Sequence, residues 1–246
     1  MSSFFMPLTI VSAAGYQCFN SALDLGYVPL PPGKYASTDR HRWRNAATSC
    51  FSAVILSVFA VYSLVSHPEL LLQPHVYYTE IAEISVAIGT GYFLYDTWDI
   101  LRNTGIFKKW TVLLHHVIVA LSYYVMSTWK AEMGIAIISL LPEISAIFLH
   151  SRQVLLIYGF SKDSAFYRVH RVFNLLTGIS CRLVPIVCAC YLTATGNHPE
   201  LHSFFVLLLP LMPPVILAIN CTMLWRLLHS DFLSTKTHKV DFIMEN

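Results

Sequence analysis

Long apolar stretches separated by short polar connections dominate the pattern of this chain. A helix needs roughly 17 to 25 mostly apolar residues to cross a bilayer core. Windows of that kind run approximately from Phe4 to Asn20, Ala46 to Val65, Tyr78 to Tyr95, Trp110 to Thr128, Met133 to Leu149, Val172 to Ala194 and Phe204 to Leu228. The pattern predicts an all-α multi-pass membrane protein of about seven transmembrane helices. No tandem repeat or low-complexity tract interrupts it, so one compact helical domain is expected, with function inside the bilayer. In the first window Ser12-Ala13-Ala14 resembles a small-residue cleavage site, but no Lys or Arg precedes it; the reading is a retained helix.

The charges sort the connections. Cytoplasmic loops of membrane proteins hold the excess of Lys and Arg. Here Lys34, Arg40, Arg42 and Arg44 follow the first window, Arg102, Lys108 and Lys109 the third, and Arg152, Lys162, Arg168 and Arg171 the fifth. Arg226, Lys236 and Lys239 belong to the C-terminal end, whereas the alternate connections hold Lys130 alone and Arg182 falls inside a window. The alternation predicts an N-terminus outside or in a lumen and a cytosolic C-terminus.

Composition narrows the class further. Hydrophobic residues make up 55% of the 246 and charged ones 12%, about half the share of soluble domains. A net charge of +2 with no concentrated basic face excludes nucleic acid as a partner. The six cysteines form no CxxC pair and lie in or beside apolar runs, which marks them as small packing residues.

Polar residues inside the windows are the candidate chemistry, because an ionisable group in hydrocarbon costs a few kcal/mol and usually faces the bundle interior. At about 1.5 Å per helical residue, Asp96, His115, His116, Glu143 and Asn220 all fall about 8 to 10 Å inside the cytosolic boundary, and Arg182 lies higher. Adjacent histidines point about 100° apart, so one of His115 and His116 faces a common centre while the other orients it or packs sideways. Beside Glu143 a neutral imidazole suits a general base or a nucleophile toward an acyl group. The same set also suits interhelical hydrogen bonding, and that alternative stays open. Two histidines without a denser array are a weak ligand set, so no metal is expected. Glu80 and Glu83 are expected to snorkel toward headgroups. The run Arg40-His41-Arg42-Trp43-Arg44 is expected to meet anionic lipid, with Trp43 at the interface. Pro142, Pro185, Pro210, Pro213 and Pro214 lie within windows, and either kink the packing or, at Leu211-Met212-Pro213-Pro214, break the last helix beside a lipid-sized cavity.

Three segments in order carry a resemblance: Gly91-Tyr92-Phe93-Leu94-Tyr95-Asp96, then His115-His116, then Glu143-Ile144-Ser145 leading to Phe148-Leu149-His150-Ser151-Arg152. They resemble the TLC-domain superfamily over roughly residues 37 to 234, and Asn174 with Arg182 fits the family's polar residue followed by an intramembrane arginine. Arg42-Trp43-Arg44-Asn45 and Ser230-Asp231-Phe232-Leu233 are similar to the subgroup of TLC domain-containing proteins 1 and 2. The resemblance implies residues 1–36 as a first helix with its basic connection, 37–234 as a TLC domain, and 235–246 as a short cytosolic tail. It also implies a bundle with a central lipid-accessible cavity, lined by Tyr92, Asp96, Asn174, Arg182 and Asn220 around the candidate catalytic His115, His116 and Glu143. For the subgroup it implies regulation of membrane fluidity by limiting polyunsaturated acyl chains in phospholipids, at the plasma membrane or alternatively the endoplasmic reticulum.

Ceramide synthases of the superfamily carry His-Asp and a further Asp where this chain has Pro142-Glu143 and then Ala146, which argues against their activity. Acyl transfer to another lipid, with acyl-CoA as co-substrate, remains the enzymatic alternative; no bound cofactor is expected, and the partners are membrane lipids and their acyl chains. A seven-span receptor or transporter is the third class, without an Asp-Arg-Tyr, an Asn-Pro-x-x-Tyr or paired repeats to support it. Topology gives the first test: tags at the C-terminus and between Arg152 and Arg171 are expected to be accessible from the cytosol, and one near Asn197 protected. Accessibility of the last two from the same side would remove at least one crossing.

Overall fold

The computed structural model describes residues 4–27, 40–198 and 201–233, all helical or in connections with no strand among them. Lys34, Lys236, Lys239 and the tail 235–246 lie outside the described residues. Seven long helical rods follow one another: α1 (Phe5–Asp24), α2 (Arg40–Ser66), α3 (Glu80–Asn103), α4 (Trp110–Trp129), α5 (Met133–Ile157), α6 (Ala165–Thr195) and α7 (Ser203–Leu233). Of these, α2, α4, α5, α6 and α7 are long and apolar enough to cross a membrane, whereas α1 and α3 are not among them. The reason lies in where the two helices sit. α3 runs through the middle of the bundle against α1, α2, α4 and the start of α5, so its Glu83, Asp96 and Asp99 are buried against other helices instead of facing lipid. α1 turns polar groups inward in the same way: Thr9 and Ser12 donate to the carbonyls of Ala87 (3.3 Å) and Ile88 (3.1 Å), and Asn20 donates to Thr48 (3.4 Å).

Gly91 makes that approach possible. A Cβ there would meet the Cβ of Ser12 at 2.6 Å and the carbonyl of Thr9 at 2.7 Å, so only glycine lets α1 and α3 touch along their backbones.

α5, α6 and α7 are each interrupted, and the prolines mark the places. α5 opens into a turn at 139–141 and resumes with Pro142 in its first turn, where a missing N–H leaves no bond unmade. α6 widens into a π-helical stretch, Gly178–Leu183, immediately before Pro185. α7 passes through a tight 3-10 turn, Leu209–Leu211, and Pro213 and Pro214 follow in the first turn of the next segment. The outer faces are apolar: only 17% of the most apolar window of α7 is buried within the bundle, and Leu207 and Leu211 stand exposed. Surfaces of that kind call for a non-aqueous surrounding.

Several expectations need correction. Glu83 does not snorkel; it is fully buried, accepting from Ser127 Oγ at 2.9 Å and from the Tyr78 hydroxyl, while Glu80 is exposed as expected. Lys130 lies 4.4 Å over the Tyr78 ring. Trp43 is no interfacial anchor, being 2% exposed in a small core with Leu23 and Ile157. Arg152 belongs to α5, not to a connection, and is 0% exposed.

That arginine closes the basic end of the bundle. Its Nε and NH2 groups donate to the two carboxylate oxygens of Asp231 at 2.7 and 2.5 Å, and Tyr167 donates to the same carboxylate at 3.1 Å. Lys162 reaches the carbonyl of Ser230 at 3.2 Å and Arg171 that of Asp231 at 2.8 Å, so α5, α6 and the π-turn ending α7 form one polar knot. Removing one member of a buried pair strands the other charge. Arg152→Ala is therefore expected to cost about 3–5 kcal/mol, against no more than about 1 kcal/mol for Arg40→Ala at the exposed pair with Asp24. Chemical denaturation in detergent with equal losses for the two variants would refute the assignment.

Candidate functional site

Five helices, α3 to α7, surround an interior cavity of ≈ 530 Å³ that opens toward the end bearing Trp110 and Arg226. A smaller one of ≈ 70 Å³ extends toward Ile135 and Thr193. Phe93, His115, Glu143, Arg182 and Asn220 line both, so a polar waist joins two largely apolar chambers. Pro213 lines the smaller one, which sets the broken start of α7 beside the cavity.

Arg182 holds the waist together. It is 8% exposed, and the wider π-helical turn carrying it projects the guanidinium toward α5 and α7. Its Nε donates to Ser145 Oγ at 2.6 Å, one terminal nitrogen to Asn220 Oδ1 at 2.9 Å and the other to the carbonyl of Pro142 at 3.1 Å. The Asn220 amide in turn donates to the carbonyl of Ile216 at 2.7 Å. Arg182 therefore uses neutral acceptors on two neighbouring helices, and no ion pair joins it to Glu143 among the described residues.

The histidine pair divides as helix geometry requires. His116 is 6% exposed and braced, with Nδ1 3.3 Å from the Thr97 hydroxyl and Nε2 3.7 Å from a carboxylate oxygen of Asp96. Asp96 accepts from the Asn45 amide at 2.6 Å, and its neighbour Asp99 contacts His41 Nε2 at 2.8 Å. The basic start of α2 thus positions Asp96, and through it His116. His115 is different: its Nδ1 is buried without a hydrogen-bond partner, its ring packs edge-on against Phe93 with centroids 6.1 Å apart, and it borders both chambers. The Glu143 carboxylate borders both as well, and no hydrogen bond or ion pair joins it to another side chain among the described residues. Interhelical bonding therefore accounts for His116, Arg182 and Asn220, but not for His115 or Glu143.

Of the residues singled out from sequence, Tyr92, Asp96, His115, His116, Glu143, Arg182 and Asn220 line the larger chamber. Asn174 does not line either one; it is 2% exposed in α6 with its amide nitrogen unpartnered. His150 was missed. It borders the larger chamber with an unpartnered Nδ1, seven residues after Glu143 and hence on the same helix face, a spacing that could have found it. Also missed was a cluster at the opposite end of the bundle, His75, Glu132 and His198, drawn from three separate connections with no signal in local sequence.

A polar centre enclosed by long apolar helices defines the class: a multi-pass membrane protein with a polar cluster buried among its helices. The TLC domain model matches residues 42–229, and this chain belongs to the TLC-domain family. It is 32% identical to TLC domain-containing protein 2 of Danio rerio over 219 residues, covering 87% of this chain and 86% of that protein. It is 27% identical to TLC domain-containing protein 1 of Homo sapiens over 245 residues, 98% and 97% of the two chains, and 29% identical to that of Mus musculus over 82% of each. The matched residues begin within α2 and end within α7, and so contain every group lining the cavity.

The two kinds of polar group separate under mutation. Arg182→Met removes three hydrogen bonds and takes the donor from Ser145 Oγ, Asn220 Oδ1 and the Pro142 carbonyl, so at about 0.6 kcal/mol per interhelical bond a loss of about 2 kcal/mol is expected. Glu143→Gln, removing no bond, is expected to leave the melting temperature within about 1 °C, in line with a change well under 0.5 kcal/mol. Thermal unfolding of the two variants in one detergent checks both, and a larger loss for Glu143→Gln would reverse the assignment.

Proposed function

We propose that the protein crosses the membrane seven times with its C-terminus in the cytosol, holds a lipid acyl chain in the cavity, and limits the entry of polyunsaturated chains into membrane phospholipids. The observation that carries this reading is the cavity itself: ≈ 530 Å³, with apolar walls and a few convergent polar groups, falls in the size range of small-ligand sites. The choice of acyl composition as the regulated quantity, and of membrane fluidity as the property controlled, is what the resemblance to the subgroup of TLC domain-containing proteins 1 and 2 implies, and similarity to proteins of those names supports placing the chain in that subgroup. We assign the protein to the plasma membrane on the same resemblance. The two less apolar helices, α1 and α3, cross within the shelter of the other five.

One observation favours a second reading. His115 Nδ1 has no hydrogen-bond partner, His115 and Glu143 face one cavity, and the two have the chemistry of an acyl-transfer pair. In that reading the substrate's amine or hydroxyl attacks the thioester carbonyl of an acyl-CoA, His115 accepts the proton of the attacking group, an ester or amide bond forms and the CoA thiolate leaves. His116, braced by Thr97 and Asp96, would keep its neighbour aligned.

Lipidomics of cells fed polyunsaturated fatty acids, with and without the protein, tests the first reading. Its presence is expected to lower polyunsaturated phospholipids and leave ceramides unchanged. Ala218→Trp, which narrows the larger chamber, is expected to abolish that effect at equal abundance. A change confined to ceramides would overturn the proposal. Turnover of acyl-CoA by the pure protein, lost in a folded His115→Ala variant, would establish the second reading.

A further inference from the structure

Three connections meet at the end of the bundle opposite the basic one, and each brings one polar side chain. His75 comes from between α2 and α3, Glu132 from between α4 and α5, and His198 from between α6 and α7. The Nδ1 atoms of the two histidines each stand 2.8 Å from a different oxygen of the Glu132 carboxylate, and their rings pack edge to face at 5.1 Å. The ligand atoms of all three residues lie within 4.8 Å of one another. Glu132 and His198 are buried, and the His75 side chain is 21% exposed, which leaves a route from outside.

The bonding of His198 is the informative detail. Its Nδ1 faces a carboxylate oxygen and its Nε2 faces the carbonyl of Thr193 at 3.1 Å, so both ring nitrogens look at groups that only accept hydrogen bonds. A neutral imidazole carries one N–H. Placed on Nε2, it serves the carbonyl and leaves the Nδ1 lone pair pointing at an anionic oxygen, a repulsion that a bound cation relieves, as does a second proton on the ring. An imidazole whose second nitrogen donates to a backbone carbonyl is how metal-bound histidines are commonly fixed in tautomer and direction.

The backbone holds this geometry firmly. Glu132 adopts a left-handed φ of 63°, uncommon for a residue with a Cβ, and its N–H donates to the carbonyl of His75 at 2.9 Å. Gly134 donates to the carbonyl of Pro74 at 3.1 Å, and a side chain on it would strike the backbone of Leu70 and Pro74. Gly196 likewise leaves room for the His75 ring, which any Cβ there would strike. The three ligands are thus carried on connections packed against one another by two glycines.

We propose that His75 Nδ1, His198 Nδ1 and the Glu132 carboxylate bind a divalent transition-metal ion, zinc above all, at this end of the bundle. Two imidazoles and one carboxylate match the donor preference of zinc, and three protein ligands leave a further position for water or another ligand. With metal–ligand bonds of about 2.0–2.2 Å, the two 2.8 Å histidine–carboxylate separations need to widen by roughly half an ångström to approach tetrahedral angles. Bound there, the ion clips together three connections far apart in sequence, independently of what the central cavity does.

The full-length chain, purified in detergent with a tag free of histidine and without chelator, is expected to retain about one zinc per molecule by inductively coupled plasma mass spectrometry. EDTA should lower its melting temperature and added zinc chloride restore it, and cobalt should give a visible ligand-field spectrum. His75→Ala, the least buried substitution, is expected to fold and to weaken zinc binding at least tenfold, as is Glu132→Gln. If His198→Ala does not fold, His75→Ala and the native chain still decide the matter. A native chain that holds no zinc and melts at one temperature in zinc or EDTA overturns the proposal in favour of a protonated His198 bonded to both acceptors. Zinc retained at unchanged affinity in the His75→Ala and Glu132→Gln variants overturns it equally.

Discussion

A guanidinium buried among apolar helices has to find acceptors for its donors there, and in this protein the demands of Arg182 set the shape of the centre. Its three bonds reach α5 twice and α7 once, so those helices cannot drift from α6 without stranding a charge. The π-helical turn that carries it and the turn preceding Pro142 are both departures from regular helix, at the places where its bonds are made. Since the acceptors are an alcohol, an amide and a carbonyl, Arg182 keeps its positive charge uncancelled by direct contact. At the waist of the cavity the guanidinium and the Glu143 carboxylate act on each other through space without a direct bond.

Glu143 stands in the field of that guanidinium without bonding to it. A carboxylate bordering both chambers beside an unpartnered imidazole is costly to retain for packing alone. The contrast with the other end of the same helix is instructive, because Arg152 and Asp231 satisfy each other with two short bonds and line no chamber. One helix therefore bears a fully saturated ion pair that fixes architecture and, nearer its middle, a carboxylate left free toward an open space. On this helix, saturation marks the pair that ties elements together, and its absence marks a group that borders the cavity.

Much of the architecture was legible because hydropathy and charge act over long windows: the seven rods, their approximate bounds and the clustering of basic residues follow from solvent preference alone. The grouping of His115, His116, Glu143, Arg182 and Asn220 was legible for a related reason, depth in a membrane being counted along each helix separately. What stayed hidden depended on which helix neighbours which. Glu83 and Trp43 look interfacial in one dimension and are interior in three, since Ser127 and Ile157 lie far away in sequence. Asn174 shares the polarity and helix of Arg182 but not its direction, and periodicity across a π-turn does not carry over. His75, Glu132 and His198 are separated by 57 and 66 residues and sit in connections, where no period exists to read.

The close seam between α1 and α3 bears on how the chain is made. The hydroxyls of Thr9 and Ser12 find their carbonyl partners 78 and 76 residues further along. At synthesis rates of about 5–20 residues per second, α1 emerges about 4 to 15 s before the surface it fits has been translated. For that interval the hydroxyls of Thr9 and Ser12 are without the carbonyls they bond in the folded chain. The seam is therefore a late contact between an early and a later helix, and α1 reaches its final place only once α3 has been made.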